Sequence, residues 1–378
     1  MMESIKILEK SGYDDVVIVF SARKQDKGKF TFYKQVIDFP ASIIFVNDYG
    51  TEWYLKGTSD FQCSIEFINY LNAEVHKLTQ GRGKVFTFGS SMGAYAALVY
   101  GSILQVDKIL AFGPEVELCI PLGRSIESLK NKFSEGACNI ANLHYKHPDN
   151  VLIISGNNDI PDLYSATIFK ESNSKIDVKL INNYTHVVAK YIQEKIPIKD
   201  FVLQYFFGSY ENLFKTFNLA SLVTKEQAIS IKKFNEAFTI NKRILLSEKE
   251  NILQVATLQK NWSMPQYYMA LIYEKENNID LSIQYLVNSL SAQKNLNRAR
   301  FKLVQLYLKS NLLDKALEEA TILKGYNFTY SVAMLLAEIY LKREDISSYK
   351  EVLVEIRKAS TLKEKELESI DRKLLEVG

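Results

Sequence analysis

The stretch VFTFGSSMGAYAAL, residues 85–98, decides the fold of the first half of this chain. It reads as an apolar strand, a Gly-x-Ser-x-Gly turn and a helix rich in small residues, in that order. Such a turn is so tight that Gly89 and Gly93 must lack side chains, and it holds the hydroxyl of Ser91 at a helix N-terminus. The stretch therefore predicts a strand-turn-helix unit with Ser91 as a candidate nucleophile.

On both sides of this unit, up to residue 186, short β-branched or aromatic runs alternate with amphipathic stretches. Helical spacing of apolar residues over 60–78 and 92–104 predicts crossover helices between parallel strands. The predicted strands are 4–9, 16–20, 42–47, 85–89, 108–112, 151–155 and 178–181. This pattern predicts an α/β fold, a three-layer sandwich around a mostly parallel sheet.

From about residue 206 the apolar residues fall at helical spacing and no further strands are predicted. Within this half, small residues and aromatic residues recur with a period near 34, and a further small residue follows each pair. The recurring positions are Ala270 with Tyr273, Val304 with Tyr307 and Ala337 with Tyr340, followed by Ser282, Ala316 and Ser348. This pattern resembles the tetratricopeptide repeat (TPR), although the proline that commonly ends each unit is missing.

These patterns predict three segments. Residues 1–205 are expected to form an α/β-hydrolase-like domain, and 206–260 a helical linker or irregular hairpin. Residues 261–378 are expected to form TPR-like helical repeats, with a terminal helix over 361–377 as a polar cap. Stacked helical hairpins present a surface for peptides, so we expect a protein partner or self-association through residues 260–360.

Two polar residues follow predicted strands downstream of Ser91. Asp159 follows the strand 151–155, and His186 follows the strand 178–181. Asp162 is the second candidate for the acid, three residues beyond Asp159. The chain has only four histidines, and the other three lie upstream of the acid.

Together, the turn and these two positions resemble the α/β-hydrolase superfamily over roughly residues 4–200, in which nucleophile, acid and base occur in this order. The resemblance implies that Ser91 is the nucleophile, that His186 is the general base and then acid, and that Asp159 orients the imidazole. It also implies an oxyanion hole from the backbone N–H of Met92 and that of Ala22 or else Ser21.

Three further residues are candidates for substrate binding. Arg23, just past the oxyanion loop, could attract an anionic acyl donor, or it is a solvated surface arginine. Trp53 and Tyr54 follow a strand at the edge where ligands approach open α/β sheets. They could stack on a sugar ring, or they cover the core.

Composition excludes several classes of function. The net charge of +3 over 378 residues is small, with 47% hydrophobic and 24% charged residues, so nucleic-acid binding is not expected. No apolar run reaches the length of a membrane span or a signal segment, so a cytoplasmic location is expected. The three cysteines share no metal-ligand spacing, and no metal site is expected.

The hydrolase-like half is compact and is loosely similar to bacterial polysaccharide O-acetyltransferases. That similarity implies acyl transfer to a small-molecule or polysaccharide substrate in surface-polysaccharide metabolism. Water as acceptor would make the protein an esterase or deacetylase, and a sugar hydroxyl would make it an O-acetyltransferase. No tightly bound cofactor is expected, and acetyl-CoA is a candidate acyl donor. The alternative is an inert adaptor whose repeat half binds a protein partner.

Overall fold

The computed structural model describes residues 2–120, 122–129, 139–210, 212–221 and 249–376, apart from 259, 261, 327, 360 and 361. It also describes Ser230 and Phe234. The chain divides into two compact units, residues 1–245 and 246–378.

The first unit is built on one eight-stranded sheet with the strand order β1-β3-β2-β4-β5-β6-β7-β8. The strands are β1 Ile5–Leu8, β2 Val16–Phe20, β3 Ser42–Val46, β4 Val85–Ser90, β5 Lys108–Phe112, β6 Val151–Gly156, β7 Asp177–Ile181 and β8 Leu219–Ala220. The two edge strands β1 and β8 are antiparallel to their neighbours, and all other pairs are parallel. The seven predicted strands are all present, and the sheet with its helices is an α/β-hydrolase-like fold.

Helices cover both faces of this sheet. They are α1 Tyr33–Val36, α2 Ser64–Thr79, α3 Met92–Ile103, α4 Ile126–Leu129, α5 Ile160–Ser172, α6 Val188–Lys195 and α7 Ile198–Phe207. Every residue of β2 and β3 is buried, which explains why both read as continuous apolar runs without alternation. On one face Phe20 stacks on Tyr100 of α3 at 5.5 Å between ring centroids, and on the other Phe86 stacks on Phe206 of α7 at 5.0 Å.

The boundary predicted at residue 205 differs from the division into units. The segment after α7 belongs to the sheet domain, since Leu213 and Phe217 are buried in its core and Phe217 stacks on Phe201 at 5.9 Å. The expectation of no strand beyond residue 206 is wrong, because β8 pairs with β7. A two-residue strand is too short to give a periodic signal. Most of 222–248, part of the predicted linker, lies outside the described residues.

The second unit is helical throughout its described residues. Its helices are α8 Lys249–Leu258, α9 Ser263–Lys275, α10 Ile279–Ala292, α11 Asn297–Lys309, α12 Leu313–Tyr326, α13 Tyr330–Lys342, α14 Ile346–Arg357 and α15 Glu364–Glu376. Consecutive helices pack as hairpins. The hydroxyl of Ser282 donates to the carbonyl oxygen of Ala270 at 2.8 Å, and both residues are fully buried. Small residues at these recurring positions therefore allow the two helices of a hairpin to approach closely.

Candidate functional site

The turn between β4 and α3 holds Ser91 in a strained backbone conformation. Ser91 lies at the N-cap of α3 with φ 56° and ψ −119°, a region that residues with side chains rarely occupy. Its N–H donates to the carbonyl oxygen of Phe112 on β5 at 2.8 Å, which ties the turn to the neighbouring strand. Strain of this kind is typical of a nucleophile on a strand-to-helix turn, and it sets the hydroxyl at the carboxyl edge of the sheet.

Close backbone packing explains the two glycines of the turn. A Cβ atom at Gly89 would lie 2.1 Å from the carbonyl oxygen of Gly93, and one at Gly93 would lie 2.1 Å from that of Phe20 at the end of β2. No side chain fits either position without moving the backbone. The glycines are thus required by contact between β4, α3 and β2.

His186 lies between β7 and α6 and contacts a buried carboxylate. Its Nδ1 is 2.8 Å from Oδ1 of Asp162, whose side chain is fully buried. An ionised carboxylate only accepts hydrogen bonds, so the proton of a neutral ring is assigned to Nδ1. The lone pair of Nε2 is then available to accept a proton, as a general base requires.

The structure differs from the sequence expectation about the acid. Asp159 does not contact His186: it caps α5, accepting from the N–H of Asp162 at 3.2 Å, and pairs with Arg124 at 2.5 Å. Asp162, the second candidate, occupies the position beside the imidazole. Because α5 begins at Ile160, Asp162 lies in its first turn, where side chains tilt back toward the helix N-terminus and the strand end.

Electrostatics favour the ionised form of Asp162. Burial by itself raises the pKa of this carboxyl, but His186 and Arg124 outweigh that effect and hold the pKa below its usual range. Burial and the neighbouring charge of Asp162 instead raise the pKa of Asp159, against the attraction of Arg124. Of the two carboxyls, Asp162 is therefore the one better suited to accept a hydrogen bond from the imidazole.

Gly113, which sequence reasoning missed, is the next residue after the strand end that holds the Ser91 turn, and it lies against His186. It follows Phe112, the hydrogen-bond partner of Ser91, and its own N–H donates to Ile154 at 2.9 Å. A Cβ atom there would lie 2.9 Å from Nδ1 of His186 and 3.2 Å from Oδ2 of Asp162. Ser91 and His186 share no direct hydrogen bond among the described residues, and catalytic hydrogen bonds often tighten only when substrate binds.

We expect Gly113→Ala to destabilise the fold by about 1–2 kcal/mol, because its φ is +58°, and also to lower turnover by displacing the imidazole. Gly81→Ala is the matched control: Gly81 has φ +71°, but a Cβ atom there would meet no atom within 4 Å. Thermal unfolding and ester hydrolysis of both variants separate backbone strain from the contact with His186. Equal turnover in the two variants would contradict this role of Gly113.

The predicted oxyanion donors are placed differently from one another. The N–H of Met92 is the first of α3, and the first N–H groups of a helix have no partner within it. The N–H of Ala22, by contrast, donates to Oγ1 of Thr31 at 3.0 Å, and that of Ser21 donates to the carbonyl oxygen of Val46 at 2.8 Å. Both alternatives for the second donor are therefore occupied here, that of Ala22 by Thr31 of the same loop and that of Ser21 by Val46 of β3.

The three candidate binding residues belong to the packing around this loop. Trp53 and Tyr54 are 1% and 2% exposed, and the Tyr54 hydroxyl donates to the carbonyl oxygen of Ser21 at 2.9 Å. Both aromatics therefore cover the core, and a sugar-stacking role is not supported. Arg23 is not a solvated arginine: it pairs with Glu127 at 2.6 Å and donates to the carbonyl oxygen of Arg124 at 3.2 Å.

Asp48 supports the same loop from within the core. It is 2% exposed and accepts from the N–H of Tyr54 at 3.0 Å, and burial raises the pKa of Asp48 to about 6. Because the native state then holds this proton more tightly than the unfolded chain, Asp48 lowers stability as pH rises from about 4 to about 6. The expected decrease is up to about 3 kcal/mol.

We expect Asp48→Asn to abolish that decrease, and the exposed Asp149→Asn to leave it unchanged. The measurement is the free energy of unfolding in urea at several pH values across this window. If native and Asp48→Asn chains show the same pH dependence, burial of an ionisable group at this position does not limit stability.

Comparison with protein-family models and with curated proteins finds no match. Solved structures that resemble this chain include the capsule O-acetyltransferase of Neisseria meningitidis serogroup A, an H228A mutant in complex with CoA. Its sequence identity to this chain is 18% and the TM-score is 0.34, and the match covers 53% of this chain and 93% of that one. An alpha-beta serine hydrolase homologue from Coxiella burnetii has 14% identity and a TM-score of 0.36 over 53% and 90% of the two chains.

An uncharacterised protein from Capnocytophaga ochracea has 13% identity and a TM-score of 0.34 over 99% of this chain and 94% of that one.

Within the part of the chain that the structure describes, no helix is long and apolar enough to cross a membrane. No cluster of three or more metal-ligating side chains occurs among those same residues.

Proposed function

We propose that this protein is a serine-dependent acyl-transfer enzyme that acts through an acyl-serine intermediate. One observation carries the proposal. A serine on a strained strand-to-helix turn is tied by its N–H to Phe112 at the carboxyl end of β5, and the next residue, Gly113, lies against a histidine hydrogen-bonded to a buried aspartate. This set of groups can generate a nucleophile and hold a general base.

In the proposed reaction, Oγ of Ser91 attacks the acyl carbonyl carbon while Nε2 of His186 takes the hydroxyl proton. Asp162 keeps the proton on Nδ1 and stabilises the imidazolium. The N–H of Met92 donates to the oxyanion, a contact commonly worth about 2.7–4 kcal/mol in the transition state. His186 then gives its proton to the leaving group as the bond from the carbonyl carbon to that group breaks, which leaves an acyl ester on Ser91.

The second half of the reaction repeats these steps with the acceptor. His186 removes a proton from the acceptor hydroxyl, whose oxygen attacks the acyl-serine and displaces Oγ of Ser91, which takes the proton back. Water as acceptor gives an esterase or deacetylase, and a sugar hydroxyl gives an O-acetyltransferase. We propose a carbohydrate or another small ester as substrate, in bacterial surface-polysaccharide metabolism, with acetyl-CoA as a candidate donor.

The experiment that tests this function is labelling of the full chain with a fluorophosphonate, followed by peptide mapping. We expect a single adduct on Ser91, because the reagent reacts with serines activated by a neighbouring base. Consumption of acetyl-CoA, measured with and without added polysaccharide, then distinguishes transfer to a sugar from hydrolysis. A chain that is folded but carries no adduct on Ser91 would overturn the proposal.

The second candidate function is an adaptor that binds a protein through the helical unit. The observation that favours it is a cavity of about 420 Å³ beside the first helices of three successive hairpins, lined in part by Tyr267, Arg298, Phe301, Lys302 and Val332. Lys302 already pairs with Glu274 at 3.1 Å, so Arg298 is the cation there that would suit an acidic peptide. Absence of the Ser91 adduct, together with binding of an acidic peptide that Arg298→Glu abolishes, would favour this function.

A further inference from the structure

Arg124 connects the two carboxylates of the candidate site. Its Nη2 is 2.5 Å from Oδ2 of Asp159, and its Nη1 is 3.3 Å from Oδ1 of Asp162, the oxygen that contacts His186. The side chain of Arg124 is 20% exposed and that of Asp162 is fully buried. The guanidinium is thus the group that joins the first turn of α5 to the loop before α4.

The backbone of Arg124 is also held on both sides. Its N–H donates to the carboxylate of Glu115, which is 3% exposed and also accepts from the N–H and the hydroxyl of Ser125, at 3.2 and 2.5 Å. Its carbonyl oxygen accepts from Nη1 of Arg23 at 3.2 Å. Both backbone groups of the residue are thus fixed, which holds its Cα in place. The guanidinium is a planar fork, so less side-chain entropy is lost per hydrogen bond when it meets the two carboxylates.

Asp162 depends on this arrangement. Its Oδ2 is buried and has no hydrogen-bond partner among the described residues, so Oδ1 makes the contacts that stabilise the charge. The charged or titratable groups that face it are His186, Arg124 and Asp159. The charge of Asp162 raises the pKa of Asp159, whereas Asp159 and Arg124 both lower the pKa of Asp162 and so favour its ionised form. An unpaired buried charge would be costly, so the site needs the cation.

We propose that Arg124 is a positioning residue, which orients the Asp162 carboxylate against His186 and is itself anchored by Asp159. This inference rests on the proposed function of Ser91, His186 and Asp162. It explains why two aspartates lie at the start of α5: one contacts the imidazole, and the other holds the arginine. Arg124 acts through Asp162 and takes no part in bond making.

The test compares Arg124→Gln and Arg124→Lys with the native chain in hydrolysis of a nitrophenyl ester. We expect Arg124→Gln to lower kcat by about 10- to 100-fold with little change in KM, as loss of an orienting partner commonly does. The acidic limb of the pH profile should move to higher pH, because Asp162 then loses its charge more readily. Arg124→Lys keeps the charge but cannot contact both carboxylates through two fixed N–H groups, so a kcat between those of Arg124→Gln and the native chain is expected.

Arg82→Gln is the matched control. Arg82 lies on the surface and pairs with the half-exposed Asp14 at 3.5 Å, so the same substitution should leave kcat and the pH profile unchanged. Circular dichroism checks that each variant is folded. If Arg124→Gln does not fold, a lowered kcat at unchanged KM in Arg124→Lys carries the test.

The possible outcomes separate the inference from the proposed function. A native chain that is not labelled at Ser91 overturns the function itself. If the native chain is labelled but Arg124→Gln keeps its kcat and pH profile, the positioning role is wrong while the function stands. A raised KM at unchanged kcat would instead show that Arg124 binds substrate.

Discussion

Ser91→Ala is expected to reduce the turnover of an activated acyl ester by about 10⁶-fold, the size of effect found when a nucleophilic serine is removed. The reason is that no acyl-serine can form, so any remaining rate comes from binding and from the oxyanion donor alone. The measurement is kcat for ester hydrolysis, together with loss of the fluorophosphonate adduct. Alanine fits the turn sterically as well as serine does, so the fold should be retained.

Ser90→Ala is the control for this prediction. Ser90 is the neighbouring serine, ends β4 and is buried to a similar extent, but it is not at the strained N-cap position. We expect the Ser90→Ala variant to keep the fluorophosphonate adduct on Ser91 and a turnover within a few-fold of that of the native chain. Equal losses in both variants would mean that the substitutions disturb the turn, and unchanged turnover in Ser91→Ala would refute acyl-serine chemistry.

Asp162→Asn is expected to reduce kcat by about 10⁴-fold, the effect known for a triad aspartate replaced by its amide. An asparagine can donate its N–H₂ to Nδ1 of His186, which places the ring proton on Nε2 and removes the general base. The shape of the side chain hardly changes, so the variant should fold. Steady-state kinetics and the profile of kcat against pH provide the measurement.

Asp159→Asn separates this role from a general effect of charge. The amide oxygen of asparagine can still cap α5, and Arg124 keeps its contact with Asp162, so we expect a loss of less than about tenfold. The two variants remove one carboxylate each, three residues apart. A larger loss in Asp159→Asn than in Asp162→Asn would contradict the placement of the acid and return that role to Asp159.

Local patterns account for most of the fold. The seven predicted strands are present within one residue of their expected bounds. The central strands were predictable because buried parallel strands must be apolar along their whole length. The helices at 64–79 and 92–103 and those of the second unit follow from apolar spacing in the same way. The strand β8 was missed because its two residues are held in place by the edge of β7 and not by a pattern of their own.

The candidate site was only partly predictable. The turn at Ser91 was predictable because glycines at two fixed positions indicate close backbone contacts. The position of His186 after the strand β7 was readable from chain order, and its catalytic role stays a prediction. Which of the two aspartates contacts His186 was not predictable, because it depends on where α5 begins and on which side chain accepts a hydrogen bond from a helix N–H. The N–H of Ala22 is occupied by Oγ1 of Thr31, nine residues away, and that of Ser21 is occupied by the carbonyl oxygen of Val46 on the neighbouring strand.

The sequence by itself thus determined the alternation of strands and helices, the change from an α/β to an all-helical fold between the two halves, and the turn that carries Ser91. These features are local, because each arises from side-chain spacing within one element. Only the tertiary structure decided which aspartate contacts His186, that Gly113 lies beside this pair, and that Arg124 joins the two carboxylates. Such contacts form between residues far apart in the chain, where burial and charge act together at the edge of the assembled sheet.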